Sequence, residues 1–264
     1  DHRDLHRLIR RQRQMCIRDR FLKSSTKILI FTGAGISTAS GIPDYRGPKG
    51  FWKTHRPVYF QEFMSSEEAR KEYWSQKLSV WENFKNAKPT NTHYSIVDLE
   101  KAGKLLMVVT QNVDGLHRIA GTSPEKLVEL HGTNRLVECM SCHKMYDPDP
   151  YFGEFRKTGI PPKCECGGFL KPATISFGQS LKEEDLKRAF WASDNCDFVI
   201  ALGSTLSVTP ASEVPLAAAR RGIPYVIINS GPTEHDNLPQ VTMRIDGDVQ
   251  RIFPLAVRKA IGSL

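Results

Sequence analysis

The chain reads as an α/β protein, a doubly wound parallel sheet with a smaller module inserted into it. Three observations predict this. Four short segments are continuously apolar and close on small or polar residues, and helical patterns lie between them. Two further stretches break the alternation, and one of them gathers four of the six cysteines. The length of 264 residues, with 40% hydrophobic and 25% charged, suits one large domain or two modest ones and argues against wholesale disorder. No uncharged apolar run approaches the roughly 20 residues that a bilayer span needs, and no signal peptide is expected at the charged start.

The elements follow in order. Residues 1–20 hold seven Arg and three Asp, which is half of the formal net charge of +8. A basic arm for nucleic acid would look like this, but composition changes abruptly at Phe21, and MCIRDR resembles translated sequencing-adaptor read-through. We expect residues 1–20 to be a non-native or disordered basic extension and predict no nucleic-acid partner. From 27–35 (KILIFTGAG) the pattern becomes regular: an apolar run ends in glycines, as a buried strand and turn would. Segments 105–112, 198–204 and 224–230 have the same form. Runs apolar on both faces belong to parallel strands covered by helices on each side. Helices are expected over 91–103, 181–195, 210–222 and 249–261, each with a cap, a terminal Gly or an amphipathic stripe. Alternation of this kind predicts a Rossmann-like domain over 21–49, 88–136 and 172–264. The remainder, 50–87 (Trp/Tyr-rich, largely helical) and 137–171 (Cys- and Pro-containing), is expected to pack together as the small module.

Cys139-x-x-Cys142 and Cys164-x-Cys166 are separated by 21 residues. Paired thiolates at this spacing can supply the four ligands of one tetrahedral Zn²⁺. Two disulfides or scattered free thiols are the alternatives, and disulfides are disfavoured without a secretion signal. No His or acid is grouped with the cysteines to leave an open catalytic position, so the ion is expected to be structural, folding a region poor in apolar residues. Cys196 reads as an ordinary core residue.

Gly33-Ala34-Gly35 follows the first strand and is expected to open a helix, where glycines let a phosphate approach the backbone. A tight turn is the plain alternative, since the third glycine of the usual motif is missing. The polar loop that follows, with Asp44, Tyr45 and Arg46, could fold over a ligand. Gln111, Asn112 and Asp114 sit just past the second apolar run, where open α/β sheets bind ligands. Helix capping would explain one of them but not all. Gly203-Ser204-Thr205 and Asn229-Ser230-Gly231 end two more strands, and together these residues form a row suited to a dinucleotide. His131 stands alone in an apolar setting, more often the place of a satisfied core histidine than of a base.

In this order, GAGISTASGIPDYRG (33–47), TQNVDGLH (110–117), ELHG (129–132), the four cysteines, ISFG (175–178), GST (203–205), Ile228-Asn229-Ser230 and DGDV (246–249) resemble the sirtuin family of NAD-dependent protein-lysine deacylases over nearly all of 27–255. The resemblance implies two cofactors, NAD and one structural Zn²⁺, and an acyl-lysine protein or peptide as partner. It implies that Gly33, Ala34 and Gly35 approach the NAD phosphates, and that Asp44, Tyr45 and Arg46 lie in a mobile loop over the nicotinamide. Gln111, Asn112 and Asp114 would hold the nicotinamide ribose and carboxamide, with His131 as general base and Asn112 its catalytic companion. Gly203, Ser204, Asn229, Ser230 and Val249 would line the adenosine half. Phe177 and Gly178 would begin the strand that pairs with substrate. The acyl oxygen of the modified lysine would displace nicotinamide, and the acyl group would leave as O-acyl-ADP-ribose, in a site that must exclude water.

Three departures bear on specificity. Tyr45 stands where Phe is common, and Gln179 stands where an acid is common. The desuccinylase branch carries a Tyr-x-x-Arg pair, whereas the nearest candidate here, Tyr73-x-x-Gln76, lacks the cation, so simple or aliphatic acyl groups, acetyl first, are expected over succinyl. The alternative activity is mono-ADP-ribosyl transfer, suggested by a likeness of PTEHD (232–236) to a chromatin-associated subgroup. A cytoplasmic location and no membrane contact are expected. Nothing in the sequence sets an oligomeric state.

Overall fold

A computed structural model describes residues 21–44 and 50–262. The basic extension at 1–20 and the expected loop residues Tyr45 and Arg46 lie outside them.

Six parallel strands form the main sheet: β1 (Ile28–Thr32), β2 (Leu105–Thr110), β3 (Leu127–Glu129), β7 (Phe198–Leu202), β8 (Tyr225–Asn229) and β9 (Met243–Asp246). Their order is β3-β2-β1-β7-β8-β9. The chain winds outward from β1 through β2 to β3, then returns to β7 on the other side of β1. The strand order therefore reverses between β1 and β7, and the carboxyl ends of these two strands open a crevice. All five residues of β1, β7 and β8 are buried. Ile28 and Ile30 pack on one face with α3 (Asn91–Lys101) and α8 (Val249–Ile261), through Ile96, Leu99, Phe253 and Val257. Leu29 and Phe31 pack on the other with α6 (Glu183–Asn195) and α7 (Glu213–Arg220), through Ala189, Ala192, Val214 and Ala218. Each fully buried aliphatic or aromatic side chain contributes roughly 1.5–3 kcal/mol, and burial on both faces explains why these strands lack alternation.

A second, antiparallel sheet has the order β5-β4-β6, from β4 (Gly132–Cys139), β5 (Met145–Tyr146) and β6 (Leu170–Thr174). Against it lie α1 (Phe60–Ser65), α2 (Glu67–Asn86) and α5 (Pro148–Thr158), while α4 (Leu116–Ala120) follows β2. Trp74, Trp81, Phe84, Phe152, Phe155, Val137 and Leu170 form one buried cluster joining 50–87 to 137–171. The Trp74 indole donates to the Leu170 carbonyl at 3.1 Å, which locks α2 in rotation against β6. The expected boundaries at 136/137 and 171/172 fall inside β4 and β6 rather than between elements.

Two buried histidines bridge α3 and α4. The rings of His93 and His117 lie 4.8 Å apart, at 0% and 1% exposure. The Thr90 amide donates to His93 Nδ1 at 3.2 Å, and His117 Nε2 meets the Thr32 hydroxyl at 3.0 Å. Burial holds His93 down at about 4 and His117 well below the usual imidazole range.

Candidate active site

The crevice where the strand order reverses is a cavity of about 1050 Å³. Four strand-end loops wall it, after β1, β2, β7 and β8, together with the start of α8. Among the described residues with an expected cofactor role, Gly33, Ala34, Gly35, Asp44, Gln111, Asn112, Gly203, Ser204, Asn229, Ser230 and Val249 all line it. His131, Phe177 and Gly178 line it as well.

The glycine turn does not open a helix. Two three-residue 3₁₀ turns, Ala34–Ile36 and Thr38–Ser40, follow β1, and the next α-helix is α1. A helix-dipole site for phosphate is therefore not built here. The glycines meet a different need. Gly33 donates to the Leu202 carbonyl at 3.0 Å and Gly35 to the Gly203 carbonyl at 2.8 Å. A Cβ on Gly35 would lie 2.8 Å from Gly203 Cα, and one on Gly33 would lie 2.7 Å from the Gly203 carbonyl oxygen. The loops after β1 and β7 thus touch backbone to backbone, which only residues without a side chain permit.

Asn112 is held from three directions. Its backbone amide donates to Thr110 Oγ1 at 3.0 Å, and its Nδ2 donates to the Gly33 carbonyl at 3.1 Å and to Ser37 Oγ at 3.2 Å. Both amide protons are then engaged, and Oδ1 is the acceptor that the side chain offers. The Ser37 hydroxyl in turn donates to Asp114 Oδ2 at 2.8 Å. Asp114 is 3% exposed and does not line the cavity. The carboxylate sits behind Ser37, bound also by the Leu116 amide at 2.8 Å. Burial raises its pKa, while the Leu116 and Ser37 bonds oppose the shift. Ser37 is the member that sequence reasoning passed over. It stood inside the glycine motif, but its spacing to Asn112 and Asp114 exists only in three dimensions. Beside this network, Gln111 Nε2 donates to Ser204 Oγ at 3.0 Å, tying the ends of β2 and β7.

His131 lies on the link between the two sheets. The Leu130 amide donates to the Thr110 carbonyl at 3.0 Å in the main sheet, and the His131 carbonyl accepts from the Ile175 amide at 2.8 Å beside the second. Gly132, with φ +71°, packs so closely that a Cβ would lie 2.1 Å from the Ala173 carbonyl oxygen. The imidazole Nδ1 donates to the Gln111 carbonyl at 3.1 Å. That bond fixes the proton on Nδ1 and leaves Nε2 as the basic nitrogen. A half-buried imidazole in this tautomer can take a proton from a group in the cavity.

The expected substrate strand does not begin at Phe177. Strand β6 ends at Thr174, and Phe177 and Gly178 form a turn. The Phe177 carbonyl already accepts from the Phe60 amide at 2.9 Å, and the Gly178 carbonyl from Gln61 Nε2 at 3.0 Å. Gln179 closes this turn, its Oε1 accepting from the Ser176 amide at 3.1 Å.

The four cysteine sulfurs lie within 4.8 Å of one another. Cys139 and Cys166 are 3.5 Å apart, and Cys142 and Cys164 are 3.7 Å apart. Thiolates at about 2.3 Å from a tetrahedral zinc stand about 3.8 Å from each other, so the donor set fits one ion. The Tyr146 hydroxyl donates to Cys164 Sγ at 2.9 Å and pulls that thiol down to about 6, into the thiolate form that a metal takes. None of the four lines the cavity, as a structural ion requires. Among the described residues, no helix is long and apolar enough to cross a membrane.

Comparison with known proteins bears on this arrangement. The model of the Sir2 family matches residues 33–210. An NAD-dependent protein deacetylase 1 from Bradyrhizobium diazoefficiens is 43% identical over 219 residues, covering 83% of this chain and 86% of its own. An NAD-dependent protein deacetylase from Rhodopseudomonas palustris is 40% identical, covering 84% and 88%. Among solved structures, a Sir2 protein with deacetylated p53 peptide and 3'-O-acetyl-ADP-ribose has a TM-score of 0.81 at 33% identity, covering 90% of this chain and 94% of its own.

Proposed function

The chain belongs to the Sir2 family, and from that premise we propose that its crevice removes acetyl groups from protein lysines with NAD as co-substrate, releasing nicotinamide and O-acetyl-ADP-ribose. The chain is thus an NAD-dependent protein deacetylase. The observation that carries this reading is the meeting, in one cavity, of a histidine with a basic Nε2 and an asparagine whose two amide protons are engaged.

Each residue has a role derived from its surroundings. Gln111, Asn112 and Ser204 form a polar floor at the ends of β2 and β7, where a ribose would rest. Asn112 Oδ1 would accept from a ribose or carboxamide donor, held in place by Ser37 and Gly33. His131 Nε2 would take the proton of a ribose hydroxyl as the acyl group moves to it. Gly33, Ala34, Gly35, Asn229, Ser230 and Val249 would follow the rest of the dinucleotide, and Asp44, Tyr45 and Arg46 would cover it. Asp114 would act only through Ser37. Peptide substrate would pass near Phe177 and Gly178, where it must compete with α1 for the two carbonyls.

One Zn²⁺ at Cys139, Cys142, Cys164 and Cys166 would fasten β4 to the 164–166 turn. We take 21–49, 88–136 and 172–264 as the NAD-binding domain, and 50–87 with 137–171 as the module, with β4 and β6 running across the two boundaries. The free thiols at the zinc cluster suit a reducing, cytoplasmic setting.

Mass spectrometry of an acetyl-lysine peptide with and without NAD tests the reading. Deacetylation should require NAD and vanish in His131→Ala, and nicotinamide release should require peptide. Undiminished turnover in that variant would refute the assignment of His131. Peptide-independent nicotinamide release with label on protein would point to ADP-ribosyl transfer instead.

A further inference from the structure

One side chain ties three elements together around the glycine turn. Gln250 stands in the first turn of α8, beside Val249, and lines the cavity. Its backbone amide donates to Asp248 Oδ1 at 2.9 Å, which closes the helix end. Its Oε1 accepts from the Thr92 hydroxyl at 2.9 Å and from the Thr92 amide at 3.3 Å, at the start of α3. Its Nε2 donates to the Ile36 carbonyl at 2.6 Å. The Thr90 hydroxyl donates to the same carbonyl at 3.0 Å.

The two halves of the amide do different work. The Thr92 amide is one of the donors that a helix start leaves without an intrahelical partner, and any acceptor would satisfy it. A cap for α3 alone would leave the donor half of Gln250 without a purpose. The Ile36 bond supplies one. Ile36 is fully buried and lies between Gly35, whose amide is on the Gly203 carbonyl, and Ser37, which holds Asn112 and Asp114. The peptide unit joining Ile36 to Ser37 is planar and rigid. Gln250 and Thr90 hold its carbonyl, and its amide, that of Ser37, donates to the Ala34 carbonyl at 3.0 Å. With both edges of the plane pinned, the Ser37 backbone cannot rock, and Ser37 Oγ keeps its line to Asn112 Nδ2.

We propose that Gln250 is a positioning residue for the reaction: its amide fixes the peptide plane that carries Ser37, and through Ser37 it aims Asn112. The proposal rests on the deacylase reading above. It also joins the two ends of the cavity. The start of α8, where the adenosine half would rest, carries the side chain that sets the amide at the reacting end.

Nicotinamide release at saturating NAD and acetyl-lysine peptide reads the effect. Gln250→Met keeps the length of the side chain and removes both sets of bonds, and should lower kcat by about tenfold. Gln250→Glu keeps an acceptor for Thr92 but has no donor for Ile36, so it should lose as much. Wild-type kcat in either variant would overturn the proposal. In the Ser37→Ala background, Gln250→Met should lower kcat by less than about twofold further, because the link it serves is already gone. A loss of folded enzyme would carry over into both backgrounds, so a further tenfold fall there would overturn the route through Ser37. If the wild type itself does not turn over, the deacylase reading fails on its own. The side-chain amide NMR signals of Asn112, assigned by their loss in Asn112→Ala, then still decide the positioning role. Signals that move in both Gln250→Met and Gln250→Glu support it, and signals unmoved in both overturn it.

Discussion

Ser37→Ala removes one hydroxyl and breaks two links at once. The first is the bond from the Ser37 hydroxyl to Asp114 Oδ2 at 2.8 Å, the second the bond from Asn112 Nδ2 to Ser37 Oγ at 3.2 Å. Asp114 is 3% exposed, so the lost donor cannot be replaced by bulk water. A hydrogen bond to a charged group contributes about 1.5–3 kcal/mol. The Leu116 amide remains on Oδ1, which keeps the expected loss near the lower end, about 2 kcal/mol. For a domain of this size that lowers Tm by about 4–8 °C. The second link fails on the cavity side. Asn112 keeps the Gly33 carbonyl but can swing about that single bond, so its Oδ1 is no longer aimed. Loss of aim at an amide with the proposed catalytic role should cost about 10–100-fold in kcat. Nicotinamide release with saturating peptide measures the second effect, and thermal unfolding measures the first. A variant that melts within about 1 °C of wild type and turns over at the same kcat would refute the network as drawn. A lowered Tm with normal kcat would keep Ser37 as a support for Asp114 and remove it from the positioning of Asn112.

Other outcomes follow from the same geometry. Gly35→Ala places a methyl 2.8 Å from Gly203 Cα, and overpacking of backbone against backbone should cost about 1–3 kcal/mol in chemical denaturation and abolish nicotinamide release. His93 and His117 are held neutral by burial, His93 at about 4. Their folded-state pKa values are depressed, so the stability they allow is present above the unfolded value of about 6.5 and is lost as pH falls below it, by about 1.4 kcal/mol per pH unit per histidine. Asp114 and Glu129, held above the usual carboxylate range by burial, act in the opposite sense at lower pH. Urea midpoints from pH 7 to 5 would check the slope, and a flat profile would contradict it. Cys164→Ser should release zinc to a colorimetric chelator and broaden the melting of the module, because a three-thiolate site is left.

The sequence was most legible where burial is symmetric. Strands β1, β2, β7 and β8 are apolar on both faces and so announced themselves, and with them the cavity floor, since cavity-lining residues follow those strands directly. β3 (LVE) and β9 (MRID) were missed. They lie at the sheet's two edges and are three and four residues long, too short to show a period. β4 and β6 were read as irregular because their pattern is set by pairing with each other across the 137–171 insertion, with Gly132 opposite Thr174. Asp114 closes the polar run after β2, and the turn through Gly115, at φ +69°, brings its carboxylate to Ser37, a partner that sequence spacing does not show.

Strand β4 starts at the residue after His131 and ends at Cys139, a thiol of the metal cradle. Its eight residues, irregular between Gly132 and Val137, join the imidazole to the cradle along one strand. An ion held there would then anchor one end of a lever whose other end carries the proposed base. Letting the anchor slip would leave the dinucleotide floor, built from β1, β2, β7 and β8, where it is, and would shift only the imidazole above it. Metal loss should therefore appear first as a fall in turnover at unchanged NAD affinity, an enzyme that still grips its co-substrate but has lost the alignment of the imidazole.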